Sequence, residues 1–216
     1  MKKLIAKLIG AFLNVTAPIT PKWNANYGFK LLCRVRRVGI SAKGNQLNIE
    51  TFRKTMLQAI DLAGAVDTLV CHSLGSLVGA YAFLVDTKIA IGSYVIMGTP
   101  TGMGAIFSYF KELLGLSNKT MKNLSVKVNA VLKIPYEEIN MERFLKKVDV
   151  PVLVVHDRND SITPFPPIEN SIERKDQIEK LITNGLKHDL KSEEVYDRVI
   201  QFIDEKSFTS RRTHSA

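Results

Sequence analysis

The stretch Thr68-Leu-Val-Cys-His-Ser-Leu-Gly-Ser-Leu-Val-Gly79 decides the fold of this 216-residue chain. Thr68–Cys71 has the apolar and β-branched residues of a buried strand, and Leu74–Val85 is a helical stretch rich in small residues. Only His72 and Ser73 remain for the turn between them. A strand that runs into a helix through a serine is typical of a nucleophile elbow, whose strained backbone lifts the hydroxyl clear of the sheet. The alternative interpretation is an ordinary strand, turn and helix in which Ser73 caps the helix.

The rest of the chain alternates strand-like and helical segments, which is typical of a parallel sheet covered by helices. The helix that ends the chain has an apolar inner face, and a Gly/Pro turn interrupts the rhythm after the second strand. This turn lacks the Gly-Lys-Ser/Thr of a phosphate loop, so a plain turn is favoured. The predicted elements are strands at Ser93–Met97, Pro151–His156 and Glu179–Thr183, helices at Ile49–Ala63, Ile168–Arg174 and Ser192–Lys206, a Gly98–Gly102 turn, and an inner face of Val195, Val199, Phe202 and Ile203.

The size and composition of the chain favour one globular domain spanning 1–216. Hydrophobic residues make up 45% of it, and no run of about 18 apolar residues suggests a membrane span. Within this domain we expect a basic leader at 1–38, an inserted helical cap at 101–147 and a flexible tail at 207–216. Two cysteines without ligand-like spacing suggest neither a disulfide framework nor a zinc site, and we expect a reducing, cytoplasmic location.

The elbow segment resembles that of the α/β-hydrolase family, whose usual motif is Gly-x-Ser-x-Gly. Here Ser73 and Gly75 match, and Cys71, a small residue, replaces the first glycine. The resemblance covers roughly Ile40–Lys206 well and the leader loosely. It implies an α/β-hydrolase-like parallel sheet flanked by helices, with a serine as nucleophile and no cofactor or metal.

The family's acid residue is placed by the segment Pro151-Val-Leu-Val-Val-His-Asp-Arg-Asn-Asp-Ser-Ile-Thr-Pro164. This segment looks like the strand and acid-bearing loop of the family, in which the acid lies just before a Val/Ile-x-Pro run. The matching residue is Asp160. Asp157 is the competitor, but it is better suited to closing an Asx-type turn.

The general base of the family lies in a loop before the last helix. The segment Asn184-Gly-Leu-Lys-His-Asp-Leu190 matches that loop, so the resemblance assigns the base to His188. The alternative is an ordinary surface histidine. Of the other three histidines, His72 adjoins the nucleophile, His156 ends a strand and His214 lies in the tail.

The order Ser73, Asp160, His188 is the Ser…Asp…His order of α/β-hydrolases, unlike that of chymotrypsin-like or subtilisin-like enzymes. In this arrangement His188 takes the proton of Ser73 as the serine attacks an acyl carbon. Asp160 holds the imidazole tautomer, and Leu74 supplies a backbone N–H to the oxyanion. The expected substrate is a small acyl compound.

One family element is missing from the sequence. An oxyanion hole needs a second donor, which the family takes from a His-Gly-type loop, and no His-Gly or Gly-Gly pair occurs in the chain. The N-terminal part of the sheet looks truncated near Arg37–Gly39. We therefore expect Thr68–Cys71 at a sheet edge, or paired with a strand from Lys30–Val38, and an open edge would favour a homodimer. A catalytically impaired or inactive binding protein of the same fold is the second functional hypothesis.

The N-terminal segment accounts for the net positive charge, because nine of the 30 Lys and Arg residues precede the first acidic residue, Glu50, and the formal net charge of the chain is +9. Lys7 interrupts the apolar run and Pro18 follows the plausible cut, so we expect no signal-peptide cleavage. A basic amphipathic helix can touch an anionic membrane, but we favour a leader packed on the body, and we expect no nucleic-acid partner. Its apolar stripe is Leu4, Ile5, Leu8, Ile9, Phe12 and Leu13.

Overall fold

A computed structural model describes residues 2–33, 48–64, 66–172 and 178–213. They form two compact units: unit 1 takes its residues from Met1–Phe52 and Met103–Glu138, and unit 2 from Arg53–Gly102 and Ile139–Ala216, where the sequence predicts one domain. The helices are α1 (Lys2–Thr16), α2 (Pro21–Leu32), α3 (Ile49–Ala63), α4 (Leu74–Val85), α5 (Met103–Leu114), α6 (Asn118–Asn129), α7 (Met141–Lys147), α8 (Pro166–Ile172) and α9 (Glu193–Thr213). The strands are β1 (Val66–His72), β2 (Ile91–Met97), β3 (Val152–Asp157) and β4 (Ile178–Thr183).

Unit 2 is built on a parallel sheet with the strand order β1-β2-β3-β4. The four predicted strands are confirmed within a few residues, because short apolar runs bounded by turn residues are buried in a sheet covered on both faces. The register pairs His72 with Met97 and Asp157 with Thr183, so the strands end side by side. Ligands of open α/β sheets bind at this carboxyl edge.

Helices cover both faces of the sheet because successive residues of a strand point to opposite sides. On one face Val95 packs with Val195 and Phe202 of α9 in a cluster of fully buried residues. On the other face the neighbouring Tyr94 meets Phe83 of α4 and Phe144 of α7, with ring centroids 6.4 Å and 5.2 Å away. The predicted inner face of the last helix is thus confirmed at Val195 and Phe202.

Within the described residues strand β1 lies at the edge of the sheet. Its single strand neighbour there is β2, which is the edge position predicted for Thr68–Cys71. The segment Lys30–Val38 was expected to supply a substitute strand, but Lys30–Leu32 ends helix α2 and 34–38 lie outside the described residues. Val70 of β1 is 48% exposed. A homodimer through this edge stays a prediction.

Unit 1 is helical, with α1 packed on α5 and α2 on α6. The expected packing of the apolar stripe of α1 on the body is confirmed at Leu13, which is buried, and in part at Ile9, which is half-buried, and it is wrong for the rest of the stripe. The residues described as buried in this segment are Gly10, Leu13 and Ala17, whereas Leu8 and Phe12 are more than half exposed. The small Gly10 decides this orientation, because its Cβ position is occupied by the Leu114 carbonyl of α5.

Two predicted segments have different bounds in the structure. The cap at 101–147 is divided, with Met103–Glu138 in unit 1 and the segment from Ile139 in unit 2. Helix α9 continues to Thr213, so the backbone of 207–213 is helical where a flexible tail was expected, since no Gly or Pro interrupts it. None of the helices in the described ranges has the length and apolar character needed to cross a bilayer.

Candidate active site

Ser73 occupies the turn between β1 and α4 with a strained backbone. Its φ is 54°, a value that residues with a Cβ rarely adopt. Its N–H donates to the Met97 carbonyl at 2.8 Å, which holds the turn against the end of β2. Strain of this kind persists only where neighbouring structure enforces it, and it is the expected geometry of a nucleophile elbow.

The close approach of helix and strand at the elbow is made by a different glycine from the one expected. A Cβ on Gly75 would meet no atom within 4 Å, so Gly75 does not permit the approach. A Cβ on Gly79 would lie 3.1 Å from the Cys71 sulfur. The small residues that bring α4 onto β1 are therefore Cys71 and Gly79.

His188 lies in a short 3₁₀ turn, Lys187–Asp189, between β4 and α9. Lys187 and Leu190 have φ values of 57° and 52°, and together with Ser73 they are the non-glycine residues with positive φ in the described part of the chain. Among the described residues, backbone strain from a positive φ at a non-glycine residue is thus confined to the two loops that carry the predicted nucleophile and base.

Gly98, at the end of β2, lies against the His188 loop. Its φ is 49°, and a Cβ there would approach the His72 Nε2 at 3.3 Å and the His188 carbonyl oxygen at 3.4 Å. A glycine is therefore required both by the backbone conformation and by the space under His188.

The three predicted site residues form one continuous hydrogen-bonded chain in unit 2. Ser73 Oγ lies 2.8 Å from His188 Nε2, and His188 Nδ1 lies 2.8 Å from Asp160 Oδ2. The Asp160 side chain is fully buried, and that of His188 is 14% exposed. The structure thus brings the three side chains together, as the sequence analysis expects. The distances between them are those needed for proton transfer from serine to imidazole.

Asp160 is held as a carboxylate by its hydrogen bonds. Burial by itself raises the pKa of this group, but the bonds from the hydroxyl and backbone N–H of Thr163, from His188 and from the Ile162 N–H outweigh it. They lower the pKa of Asp160 to about 2. A permanently ionised acid next to Nδ1 is what an imidazole base needs to become imidazolium.

Asp157, the last residue of β3, has a structural role beside the loop that carries Asp160. Its Oδ1 accepts the Asn159 N–H at 2.8 Å, which closes the expected Asx-type turn. Its Oδ2 accepts from the Thr183 hydroxyl at 2.8 Å and from the Leu186 N–H at 2.9 Å. Burial raises the pKa of Asp157, and these bonds more than compensate and lower it. Asp157 thus ties together the loops after β3 and β4, and Asp160 contacts the histidine.

Thr163 is a site residue that the sequence analysis missed. Its Oγ1 donates to Asp160 Oδ2 at 2.6 Å and also lies 3.1 Å from the Gly98 carbonyl and 3.2 Å from His188 Nδ1. Thr163 occupies the variable position of the Ile-x-Pro run, so the motif gave no signal for it. Thr163 follows Asp160 by three residues, and the turn closed by the Thr163 N–H on Asp160 Oδ1 brings the hydroxyl to the acid.

The remaining histidines differ in their relation to the site. His72 Nε2 lies 2.8 Å from the His188 carbonyl oxygen, so this residue supports the His188 loop. His156 is fully buried, its Nε2 bonds the Thr163 carbonyl at 2.7 Å, and burial lowers its pKa. His214 lies outside the described residues. Across the described ranges, no cluster of three or more His, Cys, Asp or Glu residues has a metal-holding arrangement.

Leu74 is the residue expected to donate to an oxyanion. It is the first residue of α4, so its backbone N–H has no acceptor within the helix. The N–H follows the nucleophile directly, which is the position from which α/β-hydrolases take one oxyanion donor. The gap expected near Arg37–Gly39, where the second donor would originate, lies outside the described residues.

Replacing Thr163 with valine should weaken the site through Asp160. The variant keeps the side-chain shape but leaves a buried carboxylate without its shortest hydrogen bond, which costs about 1–3 kcal/mol. We expect the free energy of unfolding, measured by urea denaturation, to fall by this amount. Thr163→Ser, which keeps the hydroxyl, should retain most of the stability, and equal losses in both variants would contradict the role of the hydroxyl.

The depressed pKa of Asp160 predicts a loss of stability in acid. Its pKa falls from 3.8 to about 2 on folding, so its contribution is complete above pH 3.8 and is lost as the pH falls through 2. A shift of this size corresponds to roughly 2 kcal/mol. The difference in free energy of unfolding between wild type and Asp160→Asn, followed by circular dichroism in urea, should change by that amount between about pH 5 and pH 2. A difference that is constant with pH would contradict it.

No protein-family model matches the chain, and no curated protein matches its sequence. Solved structures do resemble it. Alpha/beta hydrolase domain-containing protein 10 from mouse is 19% identical, with a TM-score of 0.53 over 84% of this chain and 82% of that one. MGS-MChE2, an alpha/beta hydrolase enzyme from a sediment metagenome of the Mar Chica lagoon, is 19% identical, with a TM-score of 0.52 over 74% and 71%. A structure from a study of carboxylesterases of Nitrososphaera gargenis is 11% identical, with a TM-score of 0.51 over 76% and 74%. Together with the parallel sheet and the elbow, these likenesses show that the chain has the α/β-hydrolase fold.

Proposed function

We propose that this protein is a serine hydrolase that cleaves an ester, thioester or amide bond of a small acyl substrate through an acyl-enzyme. The observation that carries the proposal is the unbroken chain from Ser73 Oγ through His188 to Asp160, with both hydrogen bonds at 2.8 Å. The fold alone carries no such assignment, because α/β-hydrolase-like proteins support many chemistries. The description of one structural neighbour as an alpha/beta hydrolase enzyme agrees with it.

In the first half of the proposed reaction Ser73 Oγ attacks the acyl carbon while its proton passes to His188 Nε2. The negative charge moves to the carbonyl oxygen, where the Leu74 N–H stabilises it. The imidazolium is stabilised by the Asp160 carboxylate at Nδ1. His188 then gives its proton to the leaving alcohol, thiol or amine, and the bond between the acyl carbon and that group breaks.

In the second half a water molecule replaces the leaving group. His188 takes a proton from the water as its oxygen attacks the acyl-Ser73 carbon, and the same oxyanion donor is used again. The bond between the acyl carbon and Ser73 Oγ then breaks as His188 returns the proton to Oγ, and the carboxylic acid is released. Both halves need the Nε2 lone pair of His188, which the bond from Nδ1–H to Asp160 makes available.

A second candidate function follows from the oxyanion donors. Among the described residues Leu74 is the one backbone donor assigned to the oxyanion, and loss of a second donor costs about 2.7–4 kcal/mol in the transition state. The alternative is therefore a protein that uses the same cleft for binding with a slow or idle Ser73.

Labelling with a fluorophosphonate separates the two functions. An activated serine attacks the phosphorus and stays covalently modified, whereas an idle serine does not react. We expect stoichiometric modification of Ser73, identified by peptide mass spectrometry, and its loss in His188→Gln. An unmodified wild-type chain would favour the binding protein, and modification at another serine would overturn the assignment of Ser73.

We also propose a cytoplasmic location, which the state of the two cysteines supports. Cys33 and Cys71 are free and buried, and burial raises the pKa of their thiols to about 11 and about 12. Neutral, buried thiols are suited to a reducing compartment. Location of a tagged full-length chain by cell fractionation tests this.

A further inference from the structure

Helix α1 turns its large apolar side chains toward solvent. At about 100° per residue, Leu4, Leu8, Phe12 and Val15 fall within a narrow arc, and each is more than half exposed. The opposite side of the helix, with Leu13, is buried in unit 1. Because α1 packs in unit 1 through the side that carries its small residues, its large apolar side chains are exposed to solvent.

The exposed arc of α1 continues onto α2. The Phe12 ring meets the Trp23 ring edge to face with centroids 5.8 Å apart, and Trp23 stacks on Tyr27 at 5.2 Å. Trp23 and Tyr27 are 45% and 38% exposed. We call this continuous surface, formed by Leu4, Leu8, Phe12, Val15, Trp23 and Tyr27, the outward face. Contiguous apolar surface of this kind marks an interaction site in a folded protein.

The two helices that carry the outward face have charges of one sign. They contain no acidic residue, and their basic residues are Lys2, Lys3, Lys7, Lys22 and Lys30. Lys30 is exposed and follows Tyr27 by three residues and Trp23 by seven, so it lies on the same side of α2 as both rings. Lys22 is also exposed on this helix. A partner that accepts both the apolar residues and the lysines must offer an apolar layer beneath a negatively charged one.

We propose that the outward face docks on the surface of an anionic lipid bilayer. Leu8 and Phe12 enter the boundary between headgroups and acyl chains, and Lys22 and Lys30 meet the lipid phosphates. Trp23 and Tyr27 suit this depth because each ring has an apolar body and a polar group that stays hydrated. A nucleic acid would use the lysines and leave the aliphatic residues in water. The proposal is independent of the catalytic assignment, since none of these residues belongs to the Ser73 site.

Trp23 makes the proposal testable without a label, because it is the single tryptophan of the chain. Full-length protein is titrated with vesicles of phosphatidylcholine containing phosphatidylglycerol, and Trp23 emission is recorded. We expect a blue shift, quenching by lipids brominated on the acyl chain, and binding that weakens as salt is raised toward 1 M. Vesicles of phosphatidylcholine alone should bind at least tenfold more weakly.

A matched pair of variants tests which surface binds. Leu8→Gln with Phe12→Gln should lower the partition coefficient by roughly tenfold for each side chain. Ile200→Gln alters a comparably exposed residue on α9 and should leave binding unchanged. Circular dichroism checks that both variants are folded.

Three results would overturn the proposal. The first is an unshifted Trp23 emission with anionic vesicles, and the second is equal binding by wild type and the double variant. The third is sedimentation showing, without lipid, a dimer that the double variant dissociates, because the outward face would then join two copies of the chain. Binding to a DNA or RNA duplex that is insensitive to the double variant, together with failure to bind vesicles, would assign the lysines to nucleic acid instead.

Discussion

Ser73→Ala should abolish hydrolysis of a p-nitrophenyl ester while leaving the protein folded. The substitution removes the oxygen that forms the acyl-enzyme, and residual turnover should not exceed the rate left by binding and the oxyanion donor, about 10⁴-fold or more below the intact triad. The free energy of unfolding should change by no more than about 1.5 kcal/mol, because one partly exposed hydrogen bond to His188 is lost.

The control for this variant is Ser171→Ala on α8, where the hydroxyl bonds the Pro167 carbonyl of its own helix. It should retain wild-type turnover and stability. Ester hydrolysis that survives unchanged in Ser73→Ala would show that the activity belongs to another group. Loss of folding in Ser73→Ala would show instead that the hydroxyl is needed to hold the strained turn.

Asp160→Asn should lower kcat by about 10⁴-fold with little effect on KM. Oδ1 of Asp160 accepts the backbone N–H groups of Ile162 and Thr163, so the amide oxygen of the asparagine takes that position. The amide NH₂ then points at His188 Nδ1 and forces the imidazole proton onto Nε2. In that tautomer Nε2 faces Ser73 without a lone pair and cannot act as a base.

Asp157→Asn is the matched comparison, because both aspartates are buried, one at the end of β3 and the other three residues further along in the loop. It weakens the bonds to Thr183 and Leu186 and should lower the free energy of unfolding by about 1–3 kcal/mol. The kcat of the folded fraction should stay within about tenfold of wild type. The reverse pattern, with Asp157→Asn losing turnover and Asp160→Asn keeping it, would transfer the role of the acid to Asp157.

The order of strands and helices was readable from the sequence because it depends on local patterns. A buried parallel strand is a short apolar run, and at Thr68–Cys71 this run is followed almost directly by a stretch with helical character. The bounds of α3 and α4 were predicted without error for this reason. Resemblance to a known family then supplied Asp160 and His188, which no local pattern marks as partners.

The choice between neighbouring side chains was decided by tertiary structure. Thr163 lies only three residues from Asp160, but its hydroxyl also lies 3.1 Å from the Gly98 carbonyl and 3.2 Å from His188 Nδ1, and these contacts exist because the loop after β3 folds against the His188 loop. Cys71 was noted as a small residue at the elbow, but its packing partner proved to be Gly79, one turn further along α4. Contacts between segments distant in sequence depend on packing that no spacing records.

The orientation of α1 shows the same limit most clearly. Its helical character and its apolar stripe follow from the period of the sequence, since residues three and four apart share a face. Periodicity does not state which face is buried. The buried face was determined by Gly10. The Leu114 carbonyl occupies the position that a side chain would take there, so α1 packs through its small residues. The closest packing between α1 and α5 uses the side of α1 that carries Gly10, so Leu8 and Phe12 remain exposed to solvent.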